Sequence, residues 1–385
     1  MPKSLDSAEP KVERLVAEDI RETIWLRLRR MTSSRLCRQI ISARTNTIAS
    51  EVLDSKAEGV AWAVRSALGY WESNAADLNA KVLTRYYALL QISIAEQVAS
   101  PNPKFDLEQA QRHTEQGHGL FTLRQPDASF PNCYHVACVM GGHFYSYCKY
   151  LGLSLKEHAF DKRPREWAEL DQAGQARLVS VTDLFRRVPE LQAVIEEYLG
   201  APPLSLHVGY ASRNMQIRSQ RVRTGQPSDN PVETTFIAIY PNGPTVNEEY
   251  LKGLNLPIQN ITVEHDSATK TSHFVGSLTH PAGDHWWQHL KTYKSGYCGT
   301  SVIVPFWGTA DPFVIHFVIL YAMSIVVRYL PSLWHEIEDG SLDHIRALIE
   351  HYLVIVDSVI PHLAVERITG VRLRVDQPGS FNAPI

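Results

Sequence analysis

From Ala57 to Ser100 no proline interrupts the chain, and Val60, Val64, Ala67, Leu68, Trp71, Ala75 and Leu78 recur at spacings of three and four. That period gathers the apolar side chains on one helical stripe, which must be buried against other helices. Asn74, Asp77 and Asn79 break the stretch. We therefore read two antiparallel helices, the second from about Ala80 to Ala99, ending before "SPNP". A shorter helix follows, with Asp106 as N-cap and Gly117 just past its end. His118 then stands beyond the helix rather than on it.

The rest of the chain changes character twice. Residues 1–10 read as a tail, and the pattern turns helical from about Val12. Val181 to Gly200 reads as helical, with Asp183 capping its start and Pro189 dividing it. After "APP" at 201–203 come short β-branched runs: "LSLHVGY", "ETTFIAIY", "QNITVEH", "TSHFVGSL" and "TSVIVPF". Turn residues lie among them. Helices return at 312–335 and 341–368. The expected fold class is α+β: a helical domain over 11–200, a β-rich, mostly antiparallel region over 201–310, and C-terminal helices over 311–385 packing back on the first bundle. Phe313 to Val327 is the longest apolar run. It is shorter than the roughly 20 residues of a membrane span, so it reads as a buried helix.

The double tyrosine in "AKVLTRYYALLQISIAEQ" (80–97) and the "HGLF" at 118–121 resemble the helical core of HEPN domains. With "LFRRVPEL" (184–191) and "MSIVVRYLPSLW" (323–334), they resemble the YaaC-like family of bacterial proteins. The shared motif comprises Tyr86, Tyr87, Gly119, Arg328, Tyr329, Pro331 and Trp334. The HEPN resemblance implies a helical dimerising module, and in some members a metal-independent ribonuclease that pairs an arginine with a nearby histidine. Adjacent tyrosines on a helix lie about 100° apart, so one faces the core while the other reaches its edge.

Three Arg–His pairs stand close in sequence: Arg112 with His118, Arg346 with His351, and Arg328 with His335 across Pro331. In a chain with 16 histidines such pairs arise by chance, so context must decide. The first two are the candidate catalytic pairs. The imidazole would act on a 2′-hydroxyl or leaving oxygen, and the guanidinium would stabilise phosphorane-like charge. The net charge of −3 offers no global field to attract nucleic acid, so contact must come from local patches. Two such patches stand out. One contains Arg27, Arg30 and Arg38. The other contains Arg213, Arg218, Arg221 and Arg223, read as strand and loop with alternate arginines on one face.

Cys133, Cys138 and Cys148 with His135 and His143 lack the two-residue knuckle of common zinc sites, and His285 and His289 lack a His-Glu-x-x-His frame. No metal or cofactor is expected. The chain has no P-loop, no Gly-x-Gly-x-x-Gly after a strand and no Gly-x-Ser-x-Gly. Five cysteines suit a reducing compartment. The expectation is a cytoplasmic, YaaC-like protein without a membrane anchor that binds RNA or other nucleic acid, with ribonuclease activity in stress or antiphage defence. The alternative is a non-catalytic homodimeric scaffold or a subunit of a larger complex.

Overall fold

The computed structural model describes residues 11–45, 47–73, 77–224, 232–240, 245–266, 271–295 and 299–376. It is α+β and mainly helical, 52% helix and 20% strand. After β1 (Lys11–Val16) come α1 (Ile20–Arg30), α2 (Ser34–Arg44), α3 (Ser50–Glu72) and α4 (Leu78–Ala99). The break between α3 and α4 falls among the polar residues that predicted it. Asp77 caps α4 by accepting from the Ala80 amide at 2.6 Å. Val60, Val64, Ala67 and Trp71 are buried on α3, and every residue from Ile92 to Ala99 is buried on α4. Its C-terminal part is surrounded on all sides, and α4 is packed by α3, α12 and α14.

Next come α5 (Leu107–Glu115), β2 (Leu120–Arg124), β3 (Tyr134–Cys138) and α6 (Gly142–Tyr150). Asp106 caps α5, accepting from the Gln109 amide at 2.8 Å. A one-turn α7 (Gln172–Gln175) leads to β4 (Val179–Ser180), which joins β2 and β3 in a three-stranded antiparallel sheet. The stretch after it is not one helix. α8 (Val181–Phe185) is capped by Ser180 rather than Asp183, and a 3₁₀ turn at Pro189–Leu191 separates it from α9 (Ile195–Leu199).

The β-rich region holds β5 (Ser205–Tyr210), α10 (Arg213–Thr224), β6 (Val232–Tyr240), α11 (Glu248–Gly253), β7 (Gln259–Asp266), β8 (Thr271–Pro281), β9 (Thr292–Ser295) and β10 (Gly299–Ile303). Its strands form one antiparallel sheet in the order β7-β8-β6-β5-β10-β9. One correction falls here: the arginine-rich segment from Arg213 is a helix, not a strand and loop. Its arginines therefore do not alternate across a pleat.

α12 (Pro312–Tyr329), α13 (Pro331–Glu338) and α14 (Asp343–Thr369) complete the bundle. α12 and α14 are apolar enough by composition to cross a membrane, but 78% and 72% of their respective windows are buried within this fold. Both pack on α4. Asp357 of α14 ties three elements together. It accepts from Trp71 Nε1 at 2.7 Å and from Arg85 Nε and Nη2 at 2.8 and 2.9 Å. Gly370 ends α14 in a left-handed turn, and β11 (Val371–Asp376) then pairs in parallel with β1. The helical reading from Val12 is thus also corrected: a strand precedes α1, because its partner lies at the opposite end of the chain.

Candidate functional site

His118 and Arg328 line a cavity of about 1070 Å³, and the double tyrosine of α4, which does not line it, contacts both. Tyr86 is fully buried, edge-on to Phe317 and Tyr321, and its hydroxyl meets His118 Nδ1 at 2.8 Å. Tyr87 is half-buried and stacks on Tyr70, and its hydroxyl accepts from Arg328 Nη1 at 3.4 Å. Each tyrosine therefore holds one charge-bearing side chain of the cavity, a role that packing alone does not require.

His118 is fixed by its own backbone as well. Gly117 and Gly119 have φ of +98° and +79°, and Gly142 across from them has +77°. The amides of His143 and Phe144 donate to the carbonyls of Gly117 and His118 at 2.9 and 3.0 Å. A Cβ on Gly142 would lie 2.6 Å from the Gly119 nitrogen, and one on Gly119 would lie 2.9 Å from the Gly141 carbonyl. Only glycine allows this approach. Burial, and then the charge of Arg328, hold the His118 pKa below its ordinary 6.5, so the ring is neutral at pH 7. Burial pushes the Tyr86 phenol up, so it stays protonated. When Nδ1–H donates to that phenol, Nε2 keeps a lone pair and is a base. In the opposite tautomer Nε2 carries a proton. Among the described residues Nε2 has no hydrogen-bond partner.

Four arginines line the cavity, Arg124, Arg163, Arg165 and Arg328, against one carboxylate, Glu166. None of the four forms an ion pair among the described residues. Arg328 donates instead to the Ser324 carbonyl at 3.0 Å and to the Ser324 hydroxyl at 3.2 Å, and its guanidinium lies 5.2 Å from the centre of the Tyr329 ring. Arg163 lies over Phe121 at 5.9 Å. Tyr329 is 63% exposed beside these cations. Guanidinium groups oriented by neutral partners keep their charge for a ligand. With exposed rings beside them they suit phosphate esters carrying a base.

The candidate residues distribute unevenly about this site. Arg112 pairs with Glu108 at 3.0 Å on the exposed face of α5 and does not line the cavity. The cation that acts on His118 is Arg328. Arg346 is held by Glu350 at 3.1 Å and by the Glu338 carbonyl, while His351 stands edge-on to Tyr198; neither lines the cavity. His335 is exposed on α13. Arg27 pairs with Glu13 and Arg38 with Asp54, whereas Arg30 lines a separate cleft of about 280 Å³ with Arg27. Arg213 lies 3.9 Å from Glu264 and Arg218 is exposed. The side chains of Arg221 and Arg223 lie outside the described residues. Gly119, Tyr329 and Pro331 line the cavity, and Trp334 is buried without lining it. The sequence reading missed Arg124, Arg163 and Arg165, although "DKRPREW" at 161–167 is a visible basic run.

The sulfur- and imidazole-rich segment is core. Cys133, Cys138 and Cys148 are buried thiols, and His143 Nε2 meets Ser93 Oγ at 2.6 Å. Cys298 lies outside the described residues. His285 and His289 sit on a 3₁₀ turn, not an α-helix, with His285 stacked on Trp287 and His289 3.1 Å from Asp284. No curated protein and no solved structure shows a significant match to the chain. The family model described as YaaC-like Protein matches residues 32–368, a span that includes both tyrosines, the His118 turn and Arg328. The chain belongs to the YaaC-like protein family.

Proposed function

We propose that this protein binds single-stranded RNA at the His118–Arg328 cavity and cleaves it without a metal. The observation that carries the reading is a neutral imidazole, held by a buried phenol, in one cavity with four arginines that have no carboxylate partner among the described residues. Such a site supplies what 2′-hydroxyl attack needs. His118 takes the 2′-hydroxyl proton as the O2′–P bond forms. Arg328 and its neighbours offset the charge on the phosphorus centre. The P–O5′ bond then breaks, and water protonates the leaving oxygen. In this reading the protein works in the cytoplasm, in keeping with its few cysteines, as a homodimer or a subunit of a complex, and the HEPN resemblance fits a role in stress or antiphage defence.

The test is RNA cleavage in EDTA. His118→Ala and Arg328→Ala should each lower the rate by about a hundredfold or more, while Arg112→Ala and Arg346→Ala leave it unchanged. Cleavage that survives His118→Ala, or that EDTA abolishes, overturns this chemistry. Salt-insensitive association with a protein partner and no RNA turnover would instead indicate the non-catalytic scaffold or complex subunit.

A further inference from the structure

A second cavity, of about 460 Å³, opens beside the first. The two share Arg163 and Arg165, which line both. The segment from Lys162 to Arg165 is therefore a ridge with a cavity on either side. Lys162 and Arg177 extend the positive lining into the second cavity. Neither forms an ion pair among the described residues, and neither do the two arginines of the ridge.

Two acids, Glu169 and Asp171, face four cations in the second cavity, and each is oriented by a backbone amide. Glu169 accepts from the Arg165 amide at 3.0 Å, and Asp171 accepts from the Gly174 amide at 2.7 Å. The ridge is also anchored. Phe160 exchanges backbone hydrogen bonds with Cys138 and Met140 at 2.9 and 2.8 Å, and its ring meets Phe121 edge-on. Arg177 lies over the Phe160 ring at 5.4 Å, and Trp167 packs on His135. Lys162, Arg163 and Arg165 are exposed on this support. Cations that outnumber the carboxylates, two of them shared by two adjoining cavities, suit a ligand with repeated negative charge, and a single phosphate would engage only one side.

We propose that the Lys162–Arg165 ridge and the cavity behind it form a second phosphate subsite, so that the ligand is an RNA strand crossing from one cavity to the other. This rests on the proposed RNA reading of the first cavity. An acidic peptide would match the charge but gain nothing from the exposed Tyr329 ring or from Trp167, on which bases can stack.

The test compares binding of a mononucleotide, a 2′-O-methyl octanucleotide and a poly-glutamate peptide to the full chain by fluorescence anisotropy across a salt series. The octanucleotide should bind at least about tenfold more tightly than the mononucleotide. Lys162→Glu, a change at an exposed position that leaves the fold intact, should remove about tenfold of octanucleotide affinity and flatten its salt dependence. Mononucleotide affinity should not change. Arg177→Ala should act in the same direction. Equal affinity for the two RNA ligands, or a Lys162→Glu variant with unchanged octanucleotide binding, overturns the second subsite while leaving the first cavity standing. Failure of all RNA ligands to bind overturns both. Poly-glutamate binding as tightly as the octanucleotide overturns the assignment to RNA.

Discussion

Two adjacent phenol hydroxyls divide the labour at the candidate site. Tyr86 holds His118 through a 2.8 Å bond, whereas Tyr87 touches Arg328 through a 3.4 Å bond, near the limit of a useful interaction. Tyr86→Phe keeps the buried ring and removes only the restraint on His118. Its stability cost should be about 1 kcal/mol, but cleavage should fall about ten- to hundredfold as the imidazole loses its orientation. Tyr87→Phe should cost less on both counts. A Tyr86→Phe variant with unchanged cleavage and an unmoved melting temperature would detach the pair from the proposed chemistry. The His118 pKa gives a second handle. A base must be unprotonated, and this ring titrates below 6.5, so kcat/KM should fall on acidification only below that value. Burial is the main cause of the depression and the Arg328 charge adds to it, so Arg328→Gln should move that acid limb, or the imidazole NMR titration, to higher pH. The tyrosines and the His-Gly turn were legible because their meaning is local. The arginine partner was not. Reading along the chain couples His118 to Arg112, while the fold delivers Arg328, 241 positions from the Tyr87 it touches.

At the level of elements, the three-way tie at Asp357 joins the end of α3, the start of α4 and the middle of α14. The Arg85 and Asp357 side chains are only 13% and 18% exposed. Removing the carboxylate would leave a mostly buried guanidinium and an indole N–H without their acceptor, so Asp357→Ala should destabilise the protein by about 3 kcal/mol in urea unfolding. A loss below about 1 kcal/mol would show that water replaces the tie. Gly142→Ala should also destabilise, since its φ is +77° and its Cβ would meet the Gly119 nitrogen at 2.6 Å. Elements were readable where the local signal was chemical. Asp106 and Gly117 bracket α5 as expected, because a cap and a left-handed turn depend on the nearest residues. β1 was unreadable because strand pairing with Val371–Asp376 is settled by tertiary structure. α10 was misread because it lacks an apolar stripe. Its arginines and glutamines favour helix by propensity alone, a weaker guide than periodicity.

Across the whole molecule, the succession of helices, strands and helices was visible in the sequence, but the closure of the chain was not. The first and last described strands meet in the β1–β11 ribbon, and a buried polar group joins distant parts: Arg367 of α14 bonds Asp311 at 2.7 Å and Tyr147 at 3.1 Å, and Tyr147 bonds Glu96 of α4 at 2.6 Å. Buried carboxylates and buried imidazoles affect stability in opposite directions as pH changes. Burial raises the pKa of Glu96 and Glu190, which weakens the fold as pH rises through the range where they ionise. Burial pushes His143 and His316 down to about 3, which has the reverse effect. These imidazoles stay neutral in the fold while their unfolded counterparts take up protons below about pH 6.5. Their stabilisation is therefore complete above that pH and is lost as pH falls. His316 isolates the effect, since both its nitrogens are spent on tyrosines, Nε2 with Tyr293 at 3.1 Å and Nδ1 with Tyr352 at 3.0 Å. At about pH 5 the unfolded ring is favoured by roughly 2 kcal/mol relative to its worth at about pH 7. His316→Gln should destabilise the protein at pH 7 through the altered tyrosine contacts, yet lose about 2 kcal/mol less than the parent between the two pH values. Paired urea titrations measure this difference directly. Parallel losses in parent and variant would mean that His316 is protonated, or reached by water, inside the fold.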